Sequence, residues 1–232
     1  IYTFKNDTSR LVVEDLNRDG LDDIVFLNNR LSRIEVLLRQ APPAGDIPGS
    51  LPLLEEAFVP AGFLLDQKTD HLAVADFDGD RHPDILTGGT HRGLRLYLQT
   101  RQGRFADAVS PAVKHRDQIV QVATADFDSD GAVDILVGRR RSAEILYNDG
   151  NGAFHRRRVL DYTAADCERV LPGDFDGDGR QDILLRFPEE PLPLRLFLGR
   201  PEGGFGWEHP LEAPPMNACK TMPLVEMAPD QL

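Results

Sequence analysis

The stretch that decides the fold is Asp126-Phe127-Asp128-Ser129-Asp130-Gly131-Ala132-Val133-Asp134, which places carboxylates at positions 1, 3, 5 and 9 of a nine-residue segment. The same pattern, D-x-[DN]-x-D-x-x-x-D, begins at three other places in the 232-residue chain, namely Asp15, Asp76 and Asp174. Successive copies begin 61, 50 and 48 residues apart. Recurrence at such a spacing indicates a repeat protein with units of about 50 residues.

Short β-type runs surround each copy. In the third unit they are Ile119 to Val122 before the acidic segment and Ile135 to Val137 and Glu144 to Tyr147 after it, followed by a turn ending in Phe154 and a fourth extended stretch. No helical period separates these runs. A lone four-stranded sheet cannot bury its faces, but sheets stacked around an axis can, so the pattern predicts an all-β fold: a β-propeller with four recognisable four-stranded blades.

The phase of the repeat gives the expected boundaries. The units cover approximately residues 8–68, 69–117, 118–166 and 167–218. A Pro-rich insertion at 40–54 lengthens the first unit, and residues 1–7 and 219–232 align with parts of flanking units. Four blades is the lower end of the usual range, so we expect residues 1–232 to form one segment of a larger, six- to eight-bladed propeller.

The residues next to the acidic segments agree with this packing. The residue before the segment is small in three copies, as expected for a crowded inner strand: Ala75, Ala125 and Gly173. The residue after the first Asp is large and apolar in all four, as expected for packing between neighbouring blades: Leu16, Phe77, Phe127 and Phe175.

The acidic segments predict cation sites. Neighbouring carboxylates repel one another by about 1 kcal/mol per pair at 4 Å even in water, so a counter-ion is expected. Oxygen ligands at positions 1, 3, 5 and 9 with a backbone carbonyl at position 7 suit Ca²⁺ better than Mg²⁺. An EF-hand loop is excluded, because it needs a bidentate Glu at position 12. The residues found there are Phe26, Thr87, Val137 and Leu185.

These four in-phase segments resemble the calcium loops of FG-GAP or VCBS repeats, which form propellers like that of the integrin α-subunits. The resemblance covers nearly the whole chain and implies about four Ca²⁺ ions, one per repeat. The implied side-chain ligands are Asp15, Asn17, Asp19 and Asp23; Asp76, Asp78, Asp80 and Asp84; Asp126, Asp128, Asp130 and Asp134; Asp174, Asp176, Asp178 and Asp182. The implied carbonyl ligands are Leu21, His82, Ala132 and Arg180.

Two copies depart from the family pattern. Asn17 leaves the first site with three carboxylates, so this site is expected to bind calcium less tightly. Arg81 stands where the other copies have Gly20, Gly131 and Gly179, and a non-glycine residue in a left-handed conformation costs about 1 kcal/mol or more.

Charge and motifs exclude several function classes. The formal net charge is −12, and four Ca²⁺ ions would bring it to about −4, so no nucleic-acid partner is expected. No apolar stretch is long enough to span a membrane. Closed loops repeated in every blade offer no open coordination position, and no nucleophile motif occurs, so we expect no enzyme activity.

A partner surface is predicted on the face opposite the calcium loops, where integrin-type propellers bind ligands. The connections there carry a mostly cationic set: His91, Arg92, His115, Arg116, Arg139, Arg140, Arg141 and Tyr162. This set favours an anionic partner, either a protein or an acidic glycan; the alternative is a set of solvated loops. Arg156, Arg157 and Arg158 are expected to protect the edge of an outer strand.

The prediction for function is a non-catalytic, calcium-stabilised module for protein binding, adhesion or assembly into a larger complex. An extracytoplasmic location (secreted, cell-surface or periplasmic) follows because calcium there fills even weak sites. One alternative is a lectin, although one Trp and four Tyr are few for sugar stacking. Another is an accessory domain of a secreted enzyme. Cys167 and Cys219 occupy equivalent places in successive repeats and are expected to be free thiols.

Overall fold

The structure is a computed structural model, and it describes residues 8–41, 57–65, 69–89, 93–105, 111, 119–162 and 166–211. Alternating β-branched and aliphatic residues form fifteen strands in the described residues. The first sheet contains β1 (Thr8–Glu14), β2 (Asp23–Asn28), β3 (Arg33–Arg39) and β4 (Phe58–Leu64). The second contains β5 (His71–Ala75), β6 (Asp84–Gly89) and β7 (Gly93–Tyr97).

The third sheet contains β8 (Ile119–Ala125), β9 (Asp134–Arg139), β10 (Ser142–Tyr147) and β11 (Arg156–Asp161). The fourth contains β12 (Arg169–Gly173), β13 (Asp182–Arg186), β14 (Leu194–Arg200) and β15 (Gly204–Leu211), with a 3₁₀ turn at Pro201–Gly203. Each sheet is an antiparallel meander in chain order. The predicted all-β class is therefore confirmed, with four sheets that we call blades one to four.

Each acidic loop connects the first strand of a blade to its second strand, as the sequence predicted. The first, third and fourth blades have four strands in the described residues, and the second has three. The fourth strand predicted for the second blade lies outside the described residues, as does the insertion from residue 42 onward. No helix in the described ranges is long and apolar enough to cross a membrane.

The hydrophobic core is divided into three clusters, one at each interface between successive blades. We call each of these interfaces a seam. The apolar residue at position 2 of the acidic loop belongs to the cluster on the side of the following blade. Leu16, Phe77 and Phe127 are therefore at most 2% exposed. Phe175 of the last described blade is 48% exposed. The expectation that this position packs between blades is therefore confirmed at the three described seams.

Glycines on second strands bring the next blade close. A Cβ atom added at Gly138 on β9 would lie 2.6 Å from Val170 Cγ1 on β12, and one added at Gly88 on β6 would lie 3.1 Å from Val122 Cγ2 on β8. The first strands of successive blades also pack in the order β1, β5, β8, β12. This arrangement places the acidic loops of all four blades at the same end of the first strands.

Candidate calcium site

The acidic loops fold around their own carboxylates. In the third loop Asp126 accepts backbone N–H groups from Asp130 at 3.2 Å and Gly131 at 2.9 Å, and Asp130 accepts that of Ala132 at 2.8 Å. Gly131 has a φ of 91°, and Arg81 has a φ of 70° at the same position of the second loop. The predicted left-handed conformation of Arg81 is therefore confirmed.

The carboxylate at position 9 ties each loop to the rest of its blade. Asp134 accepts the backbone N–H of Phe127 on Oδ2 at 2.9 Å and that of Asn148, after β10, on Oδ1 at 2.8 Å. Asp23, Asp84 and Asp182 make the same pair of contacts, and all four side chains are 0% exposed. Position 9 thus joins the acidic loop to the end of the third strand.

Burial of these carboxyl groups disfavours their ionised form. It raises the pKa of both Asp84 and Asp134 to about 6, although backbone N–H donors act in the opposite direction. Burial also raises the pKa of Asp23. A bound divalent cation would favour the ionised form of such groups.

Positions 1, 3 and 9 converge in three loops. The groups are Asp76, Asp78 and Asp84; Asp126, Asp128 and Asp134; and Asp174, Asp176 and Asp182. Each group offers carboxylate oxygens within 4.8 Å of one another. Asp128 Oδ1 is in addition buried without a hydrogen-bond partner. Oxygen-only ligands with an unsatisfied buried acceptor fit a hard cation such as Ca²⁺.

Other predicted ligands have different surroundings. Asn17 in the first loop donates its Nδ2–H to Asp19 Oδ2 at 3.0 Å. Asp19, Asp80, Asp130 and Asp178 at position 5 each accept the backbone N–H of position 7. They lie outside the three converging groups of the described residues, so their role and that of the carbonyls at position 7 remain predictions.

Asn148 is a structural residue that the sequence reasoning missed. Its side chain is buried and donates Nδ2–H to the backbone oxygen of Phe77 at 2.7 Å, across the seam between the second and third blades. Its Oδ1 accepts the N–H groups of Gly150 and Gly152. The Asn-Asp-Gly-Asn-Gly run at 148–152 was the available signal, since such runs form specific turns.

The predicted partner surface is partly wrong. Arg139 is 2% exposed, and its Nη2 contacts Glu144 Oε2 at 3.0 Å. Tyr162 is 5% exposed, packs on Phe187 and donates its O–H to the backbone oxygen of Arg139 at 2.6 Å. Both are interior residues of the third and fourth blades. The sequence contains a signal for the burial of Arg139. Phe187 stands five residues after position 9 in the fourth repeat, as Arg139 does in the third, and an apolar residue at this position indicates an interior site.

The structure describes only two of the other residues of the predicted partner surface. Arg140 and Arg141 are exposed, and both lie near Asp166, at 3.4 Å and 3.8 Å. His91, Arg92, His115 and Arg116 lie outside the described residues. The loop between β9 and β10 therefore presents two arginines that already face a carboxylate.

The remaining sequence predictions concern an outer strand and two thiols. Arg156, Arg157 and Arg158 lie on β11, the outer strand of the third blade, as predicted. Cys167 is a buried free thiol, as predicted, and burial raises its pKa. Cys219 lies outside the described residues.

A cavity of about 770 Å³ lies between the first and second blades. Phe63 lines it, with the rings of Tyr97 and Phe105 at centroid distances of 5.0 Å and 5.1 Å from the Phe63 ring. Leu16 occupies position 2 of the acidic loop at this seam, where the next two seams have phenylalanine. The smaller side chain contributes to the space.

Amide side chains also line this cavity. Gln99 of the second blade is the counterpart of Asn148 in the third, because the backbone N–H of each residue donates to the position 9 carboxylate of its own blade. Among the described residues Gln99 makes no bond across the seam like that of Asn148 to Phe77. Asn17 and Gln102 lie beside it, and no acidic side chain is among the described lining residues. The cavity is therefore uncharged except for Arg104.

Comparisons with known proteins agree with the fold and the loops. The FG-GAP-like repeat model matches residues 76–137 and 126–185. The chain is 31% identical over 157 residues to human cartilage acidic protein 1, which covers 59% of this chain and 23% of that protein. The corresponding protein of Xenopus tropicalis is 31% identical over 150 residues. The chain thus spans about a quarter of the length of the curated relatives it matches.

Two solved structures share the fold at low sequence identity. A lectin from Agrocybe aegerita, described as recognising non-reducing terminal N-acetylglucosamine, superposes with a TM-score of 0.61 at 18% identity, covering 86% of this chain and 51% of the lectin. BBS1N in complex with ARL6DN superposes with a TM-score of 0.54 at 11% identity, covering 90% of this chain and 55% of BBS1N.

Proposed function

The chain is an FG-GAP repeat protein, and on this basis we propose that it is a non-catalytic, calcium-stabilised β-propeller segment serving as an extracytoplasmic module for protein binding, adhesion or complex assembly. The observation that carries the proposal is the convergence of positions 1, 3 and 9 into oxygen-only groups in three loops. In this proposal the loops hold about four Ca²⁺ ions, which stabilise the turns, and the partner binds elsewhere.

The proposed extracytoplasmic location is supported by the calcium concentration that such sites require and by the similarity to cartilage acidic protein 1. Extracellular calcium modules work at dissociation constants of about 10⁻⁴ to 10⁻³ M, and such sites stay empty at cytosolic calcium concentrations. The similarity to cartilage acidic protein 1 agrees with this location.

The larger propeller is supported by the apolar side chains at the two outer faces of the described arc. Leu11 and Val13 on β1 are 54% and 52% exposed, and Leu171 and Phe175 of the fourth blade are 43% and 48% exposed. At each described seam the equivalent apolar faces are covered by the neighbouring blade. Further blades on both sides would bury these residues.

Calcium titration by calorimetry tests the proposal directly. We expect the calcium-free chain to bind about four ions, with the first loop weakest because Asn17 is uncharged. Asp128→Ala combined with Asp176→Ala should remove about two ions, because each loses the position 3 ligand of its loop. Absence of calcium binding at millimolar concentration would refute the calcium part of the proposal.

A second candidate function, carbohydrate binding, is favoured by the cavity between the first and second blades. Its aromatic wall offers a stacking surface, and its amide side chains offer hydrogen bonds to a neutral sugar. The lectin of similar fold supplies the probe, N-acetylglucosamine.

We expect N-acetylglucosamine to bind this cavity at millimolar concentration, as measured by calorimetry. Phe63→Ala should weaken binding about tenfold through loss of stacking. Val59→Ala is the matched control, since Val59 lies on the same strand and is 47% exposed, away from the cavity lining. Equal binding by the two variants, or none by the wild type, contradicts this candidate.

A further inference from the structure

The third acidic loop contains a cation of its own. The guanidinium of Arg156 on β11 contacts Asp128 Oδ2, the carboxylate at position 3 of the loop. The Asp128 side chain is 6% exposed, and the Arg156 side chain is 53% exposed. Asp128 Oδ1 stays buried without a hydrogen-bond partner and is left for an ion. Arg156 therefore supplies one positive charge to a loop whose carboxylates at positions 1, 3 and 9 are candidate calcium ligands.

The same guanidinium connects the loop to the next blade. Its carbon lies 3.9 Å from the centroid of the Tyr147 ring, and its Nη1 donates to the backbone oxygen of Glu202 at 3.4 Å. Tyr147 donates its O–H to the backbone oxygen of Gly203 at 2.5 Å. These contacts join the third loop to the 3₁₀ turn between β14 and β15 of the fourth blade.

Close packing brings that turn onto Asp128 itself. A Cβ atom added at Gly203 would lie 2.8 Å from Asp128 Cβ and 2.8 Å from Tyr147 Cε1. Gly203 has a φ of 70°, so both its conformation and its surroundings favour glycine. Asp128 therefore lies in direct contact with the seam between the third and fourth blades.

The seam between the second and third blades is held by different contacts, since the turn lies less closely on the loop and Asn148 bonds to Phe77 across the seam. The turn at 148–154 lies on the second loop, where a Cβ atom added at Gly152 would be 3.8 Å from Asp78 Cβ. Among the described residues no arginine or lysine contacts Asp78; His82 lies 4.0 Å from Asp80, and Arg81 at position 6 of this loop is exposed.

The sequence shows that the cation is peculiar to the third repeat. Two residues after the phenylalanine that ends each turn, the four repeats have Pro60, Asp107, Arg156 and Trp207. The third repeat alone has a basic residue at this position.

We propose that Arg156 is a resident cation that keeps the seam between the third and fourth blades closed when calcium is absent. The inference rests on the proposed calcium role of the loops. It makes this seam less dependent on calcium than the acidic loop alone would.

Hydrogen exchange of the full chain, with calcium and with a chelator at a temperature well below the unfolding transition, tests the inference. In the wild type we expect the chelator to leave residues 201–205 protected. In Arg156→Gln the chelator should speed exchange at 201–205 about tenfold, and calcium should restore protection. Arg158→Gln is the matched control, because Arg158 lies on the same strand two residues away.

The outcomes separate this inference from the proposed function. Equal exchange at 201–205 in Arg156→Gln and Arg158→Gln under chelation overturns the resident-cation role, even when calcium binds normally. Failure of the wild type to bind calcium in the calorimeter refutes the calcium role of the loops instead.

Discussion

Removing calcium with a chelator is expected to lower the midpoint of thermal unfolding by roughly 20 to 40 °C. A site that is saturated a hundredfold above its dissociation constant contributes about 2.7 kcal/mol, so four sites contribute on the order of 10 kcal/mol. That is comparable with the whole free energy of unfolding of a typical domain. The measurement is calorimetry or circular dichroism of the same chain in excess calcium and in excess chelator.

The large effect has a specific structural cause. The carboxylates at position 9 are fully buried and accept two backbone N–H groups each, but no cation contacts them in the described residues. Calcium would neutralise them together with positions 1 and 3. Without the ion the carboxylates at positions 1, 3 and 9 repel one another, and in the third loop Arg156 offsets part of this repulsion.

Two variants separate the ion from general charge effects. In calcium, Asp128→Ala with Asp176→Ala should lose about half of the calcium-dependent stabilisation, whereas in chelator the same variant should unfold only somewhat below the wild-type temperature, because Asp128→Ala also removes the contact with Arg156. Asp22→Ala is the control, since Asp22 is exposed and stands at position 8 of the first loop, outside the ligand pattern. An identical midpoint in calcium and chelator would exclude structural calcium, and the loop carboxylates would then be a candidate binding surface.

Glu144→Leu is expected to destabilise the chain by about 3 to 5 kcal/mol, because it leaves a buried guanidinium without its carboxylate. Glu144 is 1% exposed on β10, and its Oε2 contacts Arg139 Nη2 at 3.0 Å. Arg157 Nη1 lies 3.6 Å from Glu144 Oε1. The measurement is the free energy of unfolding in urea with saturating calcium, so that the acidic loops stay constant.

A double variant shows whether charge or packing is responsible. Arg139→Met with Glu144→Leu should recover most of the lost stability, since apolar residues of similar volume often replace a buried ion pair at little cost. Glu168→Gln is the control for an exposed pair, because the Arg186 and Glu168 side chains are 48% and 51% exposed and such a pair contributes about 1 kcal/mol or less. Equal loss in the single and double variants would contradict a buried charge as the cause.

The partner surface shows where sequence reasoning failed. Arg139 was assigned to a solvent-exposed connection because it stands between the β-type runs Ile135 to Val137 and Glu144 to Tyr147. The structure places it at the end of β9 with its side chain in the interior, where Glu144 compensates its charge. Cross-strand neighbours decide whether such a side chain faces solvent, and the spacing along one strand does not contain that information.

The sequence by itself determined the repeat, the strands and the acidic loops, because each of these depends on residues close together in the chain. All four implied side-chain ligands of a loop stand within nine consecutive residues, so their spacing alone predicts the site. Only the tertiary structure decided the seams. Asn148 reaches Phe77 across 71 residues and Tyr147 reaches Gly203 across 56, and such contacts exist only after neighbouring blades have packed. The resident Arg156 and the cavity beside Phe63 belong to this second class, since packing between strands and blades creates both.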